Sequence, residues 1–262
     1  MDITRPNPDA PVGVFDSGLG GITVLKSIVR LLPNEDVIYF GDSLHAPYGT
    51  KSREEIKLRA SRVAEHLLSM GAKAIVIACN TASAAAAAPL REVYPDIPVI
   101  AIEPALKPAV TAFPGGHVVV MATPATLHLE KFAHLLETYG KNAEVSLLPI
   151  EGLVELIEQG ITEGPQIREV LEQHFASIPR PVDAVVLGCT HYPLIKKELA
   201  AFLGPSVTFF DGGEGTARQL KVRLEETGLL SRRGLPGSVT FLNSLQNESI
   251  LRLSRELFSA GE

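Results

Sequence analysis

The stretch Ala74-Ile75-Val76-Ile77-Ala78-Cys79-Asn80-Thr81 is matched later in the chain by Ala184-Val185-Val186-Leu187-Gly188-Cys189-Thr190-His191. Each stretch has four apolar residues, a small residue, a cysteine and then polar residues that precede a helical pattern. An apolar run precedes each stretch at a similar distance, at residues 12–15 and 118–121. Short apolar runs that alternate with helical patterns are typical of parallel βαβ units. The sequence therefore predicts an α/β protein that contains an internal duplication.

The duplication predicts two α/β lobes with parallel sheets, related by a pseudo-twofold, with the functional site in the cleft between them. Each lobe then offers one cysteine to the cleft. Pro104 and Pro108 mark a connection between the halves, and the pattern over residues 193–202 predicts a helix after the second cysteine. The last third of the chain could complete either half.

The composition excludes several classes of protein. The 262 residues are 45% hydrophobic and 21% charged, which is typical of a globular chain and not of a disordered or fibrous one. A net charge of −6 argues against nucleic-acid and membrane-surface partners. The two cysteines form no C-x-x-C pair, which excludes a disulfide scaffold and a thiolate zinc site. Residues 1–11 have no apolar segment typical of a secretion signal, and no apolar run is long enough for a membrane span. We therefore expect a reducing compartment.

The placement of the cysteines indicates chemistry. Ligand sites in parallel sheets gather at the carboxyl ends of strands, and a helix N-terminus there favours thiolate over thiol. A buried cysteine can also serve only as a small apolar residue. Two cysteines in matched contexts favour function instead. A base on one face of a carbon and an acid on the other would invert that carbon, and a thiolate and a thiol can exchange these roles.

Asp16 and His191 are the candidates to activate the thiols. Asp16 follows the first apolar run, where it could act on Cys79 or cap the helix after the glycines. His191 lies two residues after Cys189, where it could assist that thiol or be a satisfied loop histidine.

The surrounding loops suit a small polar zwitterion. The Gly18-Leu19-Gly20-Gly21 loop has Thr23 where a dinucleotide motif needs its third glycine, but its N–H groups could hold a substrate carboxylate. The remaining histidines show no metal-ligand spacing, so no metal site is predicted. Hydroxyl, amide and other polar groups at strand ends are supplied by Asp42, Tyr48, Gly49, Asn80, Thr81, Ser83 and Thr190.

Together these residues resemble the glutamate racemases from residue 12 to about residue 217. The resemblance is carried by Val14-Phe15-Asp16-Ser17-Gly18-Leu19-Gly20-Gly21, Tyr39-Phe40-Gly41-Asp42 with Pro47-Tyr48-Gly49, Ala78-Cys79-Asn80-Thr81-Ala82-Ser83, Gly188-Cys189-Thr190-His191-Tyr192-Pro193 and, more loosely, Asp211-Gly212-Gly213-Glu214-Gly215-Thr216-Ala217.

The resemblance implies a cofactor-independent isomerase that interconverts L- and D-glutamate and supplies D-glutamate for bacterial peptidoglycan and cell-wall synthesis. It implies a cytoplasmic homodimer whose two flavodoxin-like lobes comprise residues 1–102 plus 210–262 and residues 103–209. Cys79 and Cys189 are the implied bases, with Asp16 and His191 assisting them. The residues implied to contact substrate are Asp16, Ser17, Tyr48, Gly49, Asn80, Thr81, Thr123, Thr190 and His191.

Two questions stay open at this point. Glu158 matches the family's auxiliary acid best, but Glu151 lies close to it, and Asp42 is a further auxiliary candidate. A racemase for aspartate or another acid is an alternative function, and a two-lobed binding protein without catalysis is another. The presence of both cysteines disfavours a single-cysteine decarboxylase.

Overall fold

The chain folds into two parallel β-sheets, in a computed structural model that describes residues 7–260. The first sheet has the strand order β4 (Val99–Ala101), β3 (Ala74–Ile77), β1 (Val12–Asp16), β2 (Val37–Gly41) and β9 (Val239–Asn243). The second has the order β6 (Glu144–Pro149), β5 (His117–Ala122), β7 (Ala184–Leu187) and β8 (Thr208–Asp211). All neighbouring strands in both sheets pair in parallel. The predicted α/β class is thereby confirmed.

The two sheets repeat one topology. In each, the first four strands in sequence are arranged with the second at one side, then the first, third and fourth, which is the flavodoxin-like order. The repeated order confirms the predicted two-lobed fold. The last third of the chain serves both halves, because β8 pairs with β7 and β9 pairs with β2.

The place where the lobes divide stays a prediction. The boundary expected between residues 209 and 210 falls inside β8, which ends at Asp211. The strand ends there because the chain turns at Gly212 and Gly213, and the Gly213 N–H donates a hydrogen bond to Asp211 Oδ1 at 2.9 Å.

Alternating side chains fix the central strands. In β1, Val14 packs into one hydrophobic core and Phe15 into the other, since successive side chains of a strand point to opposite faces. In β5, Val118 and Val119 divide in the same way between the two cores of the second sheet. Each buried side chain of this size contributes about 1.5–3 kcal/mol, so the registers are strongly specified.

Helices cover both sheets. They are α1 (Ile22–Leu31), α2 (Arg53–Ser69), α3 (Asn80–Val93), α4 (Leu106–Ala112), α5 (Pro124–His128), α6 (Glu130–Tyr139), α7 (Leu153–Glu158), α8 (Pro165–Phe175), α9 (Lys196–Leu203), α10 (Gly213–Glu226) and α11 (Glu248–Ser259). None of the helices within residues 7–260 combines the length and the apolarity needed to cross a membrane.

Two helical segments differ from the expectation. The proline-marked connection contains α4, because Pro108 lies in its first turn, where a missing N–H costs no helical hydrogen bond. The helix expected over residues 193–202 begins as a 3₁₀ turn, Tyr192–Ile195, and becomes α-helical only at Lys196. Cys189 therefore does not cap an α-helix.

Candidate active site

Cys79 lies two residues after β3 and caps the N-terminus of α3. Its Sγ accepts a hydrogen bond from the Ala82 N–H at 3.4 Å and lies 3.6 Å from Ser17 Oγ. Burial, reinforced by the negative charge of Asp16, nevertheless raises the pKa of the Cys79 thiol to about 12. The expectation that the helix terminus would favour the thiolate is therefore outweighed at this position by the loss of solvent.

Cys189 occupies the same position of the second lobe, two residues after β7, and has a different partner. Its Sγ lies 3.6 Å from Nδ1 of His191, whose Nε2 lies 2.6 Å from Glu158 Oε1. Glu158 ends α7, and its backbone position brings the carboxylate over the first lobe as well. There Oε1 accepts the Leu19 N–H at 2.6 Å. Glu158 thus joins His191 to the other lobe.

The charges in this arrangement follow from burial and hydrogen bonds. Burial is the largest influence on Glu158 and raises its pKa, but hydrogen bonds from His191, Leu19 and other donors leave the pKa below its ordinary value. Burial lowers the pKa of His191, yet its hydrogen bonds to Cys189 and Glu158 raise it well above its ordinary value. Facing a carboxylate, Nε2 carries a proton. Nδ1 is then left to take or share the proton of Cys189.

Asp16 ends β1 and is completely buried. Its Oδ2 accepts the Gly18 N–H at 3.0 Å, and its Oδ1 accepts the hydroxyl of Thr190 at 3.1 Å. Burial raises the pKa of this carboxyl group. Gly21 rather than Asp16 is the N-cap residue of α1, although the Asp16 carboxylate also accepts a hydrogen bond from the Gly21 N–H.

A cluster of three threonine hydroxyls joins the lobes beside Cys79. Thr81 Oγ1 lies 3.2 Å from Thr123 Oγ1 and 3.0 Å from Thr126 Oγ1, and the last two are 2.9 Å apart. Gly49 packs against it, since a Cβ at that position would lie 2.9 Å from Thr123 Cβ. Thr126 was missed from the sequence, although Thr-Pro-Ala-Thr with Thr123 as N-cap is a readable helix-start signal.

Three further predicted residues have distinct environments. Asn80 is buried, and its Oδ1 has no hydrogen-bond partner among the described residues, which leaves an acceptor for a ligand. Tyr48 is also buried and donates a hydrogen bond from its hydroxyl to Asp42 Oδ2 at 2.7 Å. The other oxygen of Asp42 lies 2.7 Å from His45 Nδ1, so Asp42 is engaged away from the thiols.

The structure separates the two candidate auxiliary acids. Glu158 contacts His191, whereas Glu151 is exposed and its backbone N–H donates to His174 Nε2 at 3.5 Å. Ser43 was missed and lies in the same cluster, with its hydroxyl 3.1 Å from Glu158 Oε2. The signal for Ser43 was only its place after the second strand.

The two thiols share one enclosed site. The loops that carry the two cysteines meet across the lobes, since Thr190 beside Cys189 donates a hydrogen bond to Asp16 Oδ1 at 3.1 Å, and Ser17 beside Asp16 lies 3.6 Å from Cys79 Sγ. Both cysteines are more than nine-tenths buried. Two cavities, of about 730 and 230 Å³, lie where the chain passes from one lobe to the other, and neither is lined by a cysteine. Asn80 borders the smaller one.

No group of three or more histidine, cysteine or acidic side chains within the described part of the chain could hold a metal ion. The site offers instead two thiols, a histidine, two carboxylates and a set of hydroxyls. Such a set can move protons to and from a carbon acid and can bind a small charged molecule.

The known proteins that this chain resembles in sequence agree with one another in their activity. A family model described as Asp/Glu/Hydantoin racemase matches residues 12–220. A glutamate racemase of Clostridium perfringens is 49% identical over 250 residues, which cover 95% of this chain and 96% of that protein. A glutamate racemase of Clostridium novyi is 48% identical over 259 residues, 98% of each chain.

Solved structures agree with these sequence relatives. The crystal structure of glutamate racemase from Francisella tularensis in complex with D-glutamate has a TM-score of 0.83 and 34% identity, covering 97% of this chain and 95% of that one. The Escherichia coli enzyme, in complex with L-glutamate and the activator UDP-MurNAc-ala, has a TM-score of 0.83 and 29% identity, covering 95% of both chains.

Proposed function

Because this chain belongs to the glutamate racemase family, we propose that it interconverts L- and D-glutamate by moving the α-proton between Cys79 and Cys189. One observation carries the proposal. Each cysteine is buried two residues after the third strand of its own lobe, and Thr190 beside Cys189 hydrogen-bonds Asp16 of the other lobe. Inverting a carbon requires an acid and a base on opposite faces, which two thiols from opposite lobes can supply.

The chemistry balances without a cofactor. In one direction the Cys189 thiolate takes the α-proton, so the Cα–H bond breaks and an S–H bond forms. The electron pair left on Cα then takes the proton of the Cys79 thiol on the other face. The two cysteines end with their protonation states exchanged, which is the starting state for the reverse reaction. The raised pKa of Cys79 supports its part as the acid in the first direction.

Asp16 and His191 assist the two thiols. His191 lies within reach of Cys189 and holds or returns its proton, with Glu158 fixing the imidazole from the other side. Asp16 acts on Cys79 through its charge. An α-ammonium group bound beside Asp16 would offset that charge and lower the pKa of Cys79, which is what deprotonation in the reverse direction requires.

Binding of glutamate is assigned to the polar groups around the thiols. Asn80 has an acceptor to offer to the ammonium group, and hydroxyls suit the two carboxylates. The residues proposed to contact substrate are Asp16, Ser17, Tyr48, Gly49, Asn80, Thr81, Thr123, Thr190 and His191.

The product, D-glutamate, would supply peptidoglycan synthesis. Both thiols must stay reduced to exchange protons, and the cytoplasm provides such an environment. We expect the protein to form a homodimer, which light scattering coupled to size-exclusion chromatography measures. A single species at the mass of one chain would contradict the dimer and leave the reaction unaffected.

The decisive experiment incubates purified, dialysed protein with L-glutamate in D₂O. We expect optical rotation to fall to zero while the α-proton NMR signal disappears, with no cofactor added. Cys79→Ser and Cys189→Ser should each abolish racemisation and leave the far-ultraviolet circular dichroism unchanged.

Two outcomes would overturn this function, and a third would overturn the two-thiol mechanism. Racemisation of aspartate or another acid in place of glutamate would change the substrate and keep the two-thiol chemistry. Binding of glutamate with neither loss of rotation nor exchange would indicate a binding protein. Near-normal turnover in both serine variants would remove the cysteines from the mechanism.

A further inference from the structure

A chain of hydrogen bonds leads from Cys189 through His191 and Glu158 to two residues of the first lobe. Glu158 Oε2 accepts the hydroxyl of Ser43 at 3.1 Å, and Ser43 Oγ in turn accepts a hydrogen bond from Asn243 Nδ2 at 3.0 Å. Asn243 ends β9, which the chain reaches only after it has completed the second lobe. One chain of hydrogen bonds thereby joins residues from three distant segments.

The direction of these hydrogen bonds is fixed by the last one. Asn243 Oδ1 accepts the N–H of Leu245 at 2.9 Å, so the amide cannot be turned over without facing one donor with another. Nδ2 must therefore point at Ser43. Since Ser43 Oγ already accepts this hydrogen bond, its own proton is directed to Glu158.

Two glycines leave the space that this arrangement occupies. A Cβ on Gly18 would overlap the carboxylate of Glu158, and a Cβ on Gly41 would lie 2.8 Å from Asn243 Nδ2. Glu158 itself receives donors on both oxygens, from His191 and Leu19 on Oε1 and from Ser43 on Oε2. With both oxygens held, the carboxylate has one orientation, which sets the ring of His191 against Cys189.

We propose that Ser43 and Asn243 are positioning residues for proton transfer at Cys189, acting through Glu158 and His191. This inference rests on the proposed racemase function. Neither side chain touches the thiols, and their effect reaches Cys189 only through the carboxylate and the imidazole. Because Ser43 and Glu158 belong to different lobes, the orientation of His191 is completed only when the lobes are together.

The test compares Ser43→Ala and Asn243→Asp with a matched control, Ser244→Ala. Aspartate keeps the size of asparagine but presents an acceptor to Ser43, whose proton then turns away from Glu158. Ser244 also bridges these two segments, since its Oγ accepts the Leu44 N–H at 3.0 Å, but it has no contact with Glu158. Ser43→Thr, which retains a hydroxyl, is the conservative rescue.

We expect kcat to fall about tenfold to a hundredfold in Ser43→Ala and Asn243→Asp, as for loss of a hydrogen bond to a charged group. KM should change less than about twofold, because neither residue contacts substrate. Ser43→Thr should recover most of kcat, and Ser244→Ala should match the unmodified enzyme. Loss of kcat in the control as large as in Ser43→Ala would overturn the proposal.

Isotope effects separate positioning from a general loss of structure. With α-deuterated L- and D-glutamate, Ser43→Ala and Asn243→Asp should raise the substrate isotope effect for the enantiomer that Cys189 deprotonates. They should lower it for the other enantiomer. His191→Asn should shift the two effects in the same sense, and Asp16→Asn in the opposite sense. A reduced rate with both isotope effects unchanged would contradict the assigned role.

A measurement that needs no turnover distinguishes failure of the hydrogen-bond chain from failure of the proposed function. In protein with ¹⁵N-labelled histidine, the Nε2–H signal of His191 is assigned by its absence in His191→Asn. We expect this signal to move in Ser43→Ala and Asn243→Asp and to stay in Ser244→Ala. If the unmodified protein does not racemise glutamate, the proposed function fails while this signal still tests the hydrogen-bond chain. An unmoved signal in both variants refutes that chain.

Discussion

Thr190 Oγ1 donates a hydrogen bond to Asp16 Oδ1 at 3.1 Å, so the residue after one thiol holds the carboxylate whose charge acts on the other thiol. Thr190 belongs to the second lobe and Asp16 to the first. The environment of Cys79 therefore depends on contact between the lobes, and the chemistry of each cysteine is controlled in part from the lobe that does not carry it.

Replacing Asp16 by asparagine should lower kcat about a hundredfold or more, within the range of general acid–base contributions, and raise KM much less. The carboxylate acts on the ionisation of Cys79, which matters during proton transfer more than during binding. Steady-state kinetics in both directions measure the split. A change confined to KM would limit Asp16 to substrate binding and remove it from proton transfer.

The same variant should lower the pKa of Cys79 from about 12, because removal of a nearby negative charge favours the thiolate. Burial, the larger cause, is unchanged by this substitution, so the pKa should stay above its ordinary value. The thiolate absorbance of Cys79 is titrated in protein that also carries Cys189→Ala, where a single thiol remains. An unchanged or higher pKa would contradict the electrostatic role of Asp16.

The local parts of the site could be predicted from the sequence, and the contacts between lobes could not. Cys79 and Cys189 each follow an apolar strand and Asp16 ends one, so the residue pattern marks them directly. Ser43 and Asn243 meet only because β9 returns beside β2 after the second lobe is complete. No spacing in the sequence encodes that meeting.

Ionisation was harder to predict than position. A cysteine before a helix predicts a favoured thiolate, but the balance at Cys79 is decided by burial and by Asp16, both of which are tertiary properties. At Cys189 the predicted helix start is a 3₁₀ turn, and the contacting group is His191. The sequence alone shows that His191 lies close to Cys189, whereas it left Glu158 as one of two candidates for the auxiliary acid behind the histidine.

Glu158 should make stability depend on pH. Burial raises its pKa, but hydrogen bonds from His191, Leu19 and Ser43 leave the net pKa below the ordinary value of about 4.3. A folded-state pKa that lies below the unfolded one contributes stability at higher pH, and this contribution is lost as pH falls through the folded-state pKa. Glu158→Gln should therefore be less stable than the unmodified protein near neutral pH, with the gap narrowing below about pH 4.3.

Urea denaturation at a series of pH values measures that gap. Glu163→Gln, which changes an exposed glutamate in the loop after α7, serves as the control and should show no pH-dependent gap. A gap between Glu158→Gln and the unmodified protein that stays constant into the acid range would show that the stability difference does not come from ionisation of Glu158.

Gly18→Ala tests how closely the lobes approach. A Cβ at position 18 would overlap the carboxylate of Glu158, so Glu158 must give up its hydrogen bonds to Leu19 and His191. We expect kcat to fall about tenfold or more and the melting temperature to decrease. Gly215→Ala, in an open position of α10, is the matched control and should be neutral or stabilising by up to about 1 kcal/mol. Equal activity in the two variants would contradict close contact at Gly18.

The buried ion pair between Lys73 and Glu35 should govern stability and leave catalysis unaffected. Lys73 precedes β3 and Glu35 precedes β2, so the pair lies at the amino ends of the strands, opposite the cysteines. The Lys73 ammonium also donates to the Pro8 carbonyl, and Glu35 Oε1 accepts the Ser231 N–H at 2.7 Å. The pair thus ties two distant segments to the first sheet.

Lys73→Met should cost about 3–5 kcal/mol, because it leaves the carboxylate of Glu35 buried without a counter-charge. Adding Glu35→Leu should restore much of that loss, since two apolar side chains leave no uncompensated charge. Denaturation midpoints measure both variants, and kcat of the folded protein should stay within about twofold. If the double variant were no more stable than Lys73→Met, the loss would come from packing and from the contacts to Pro8 and Ser231. The charge left on Glu35 would then not be its cause.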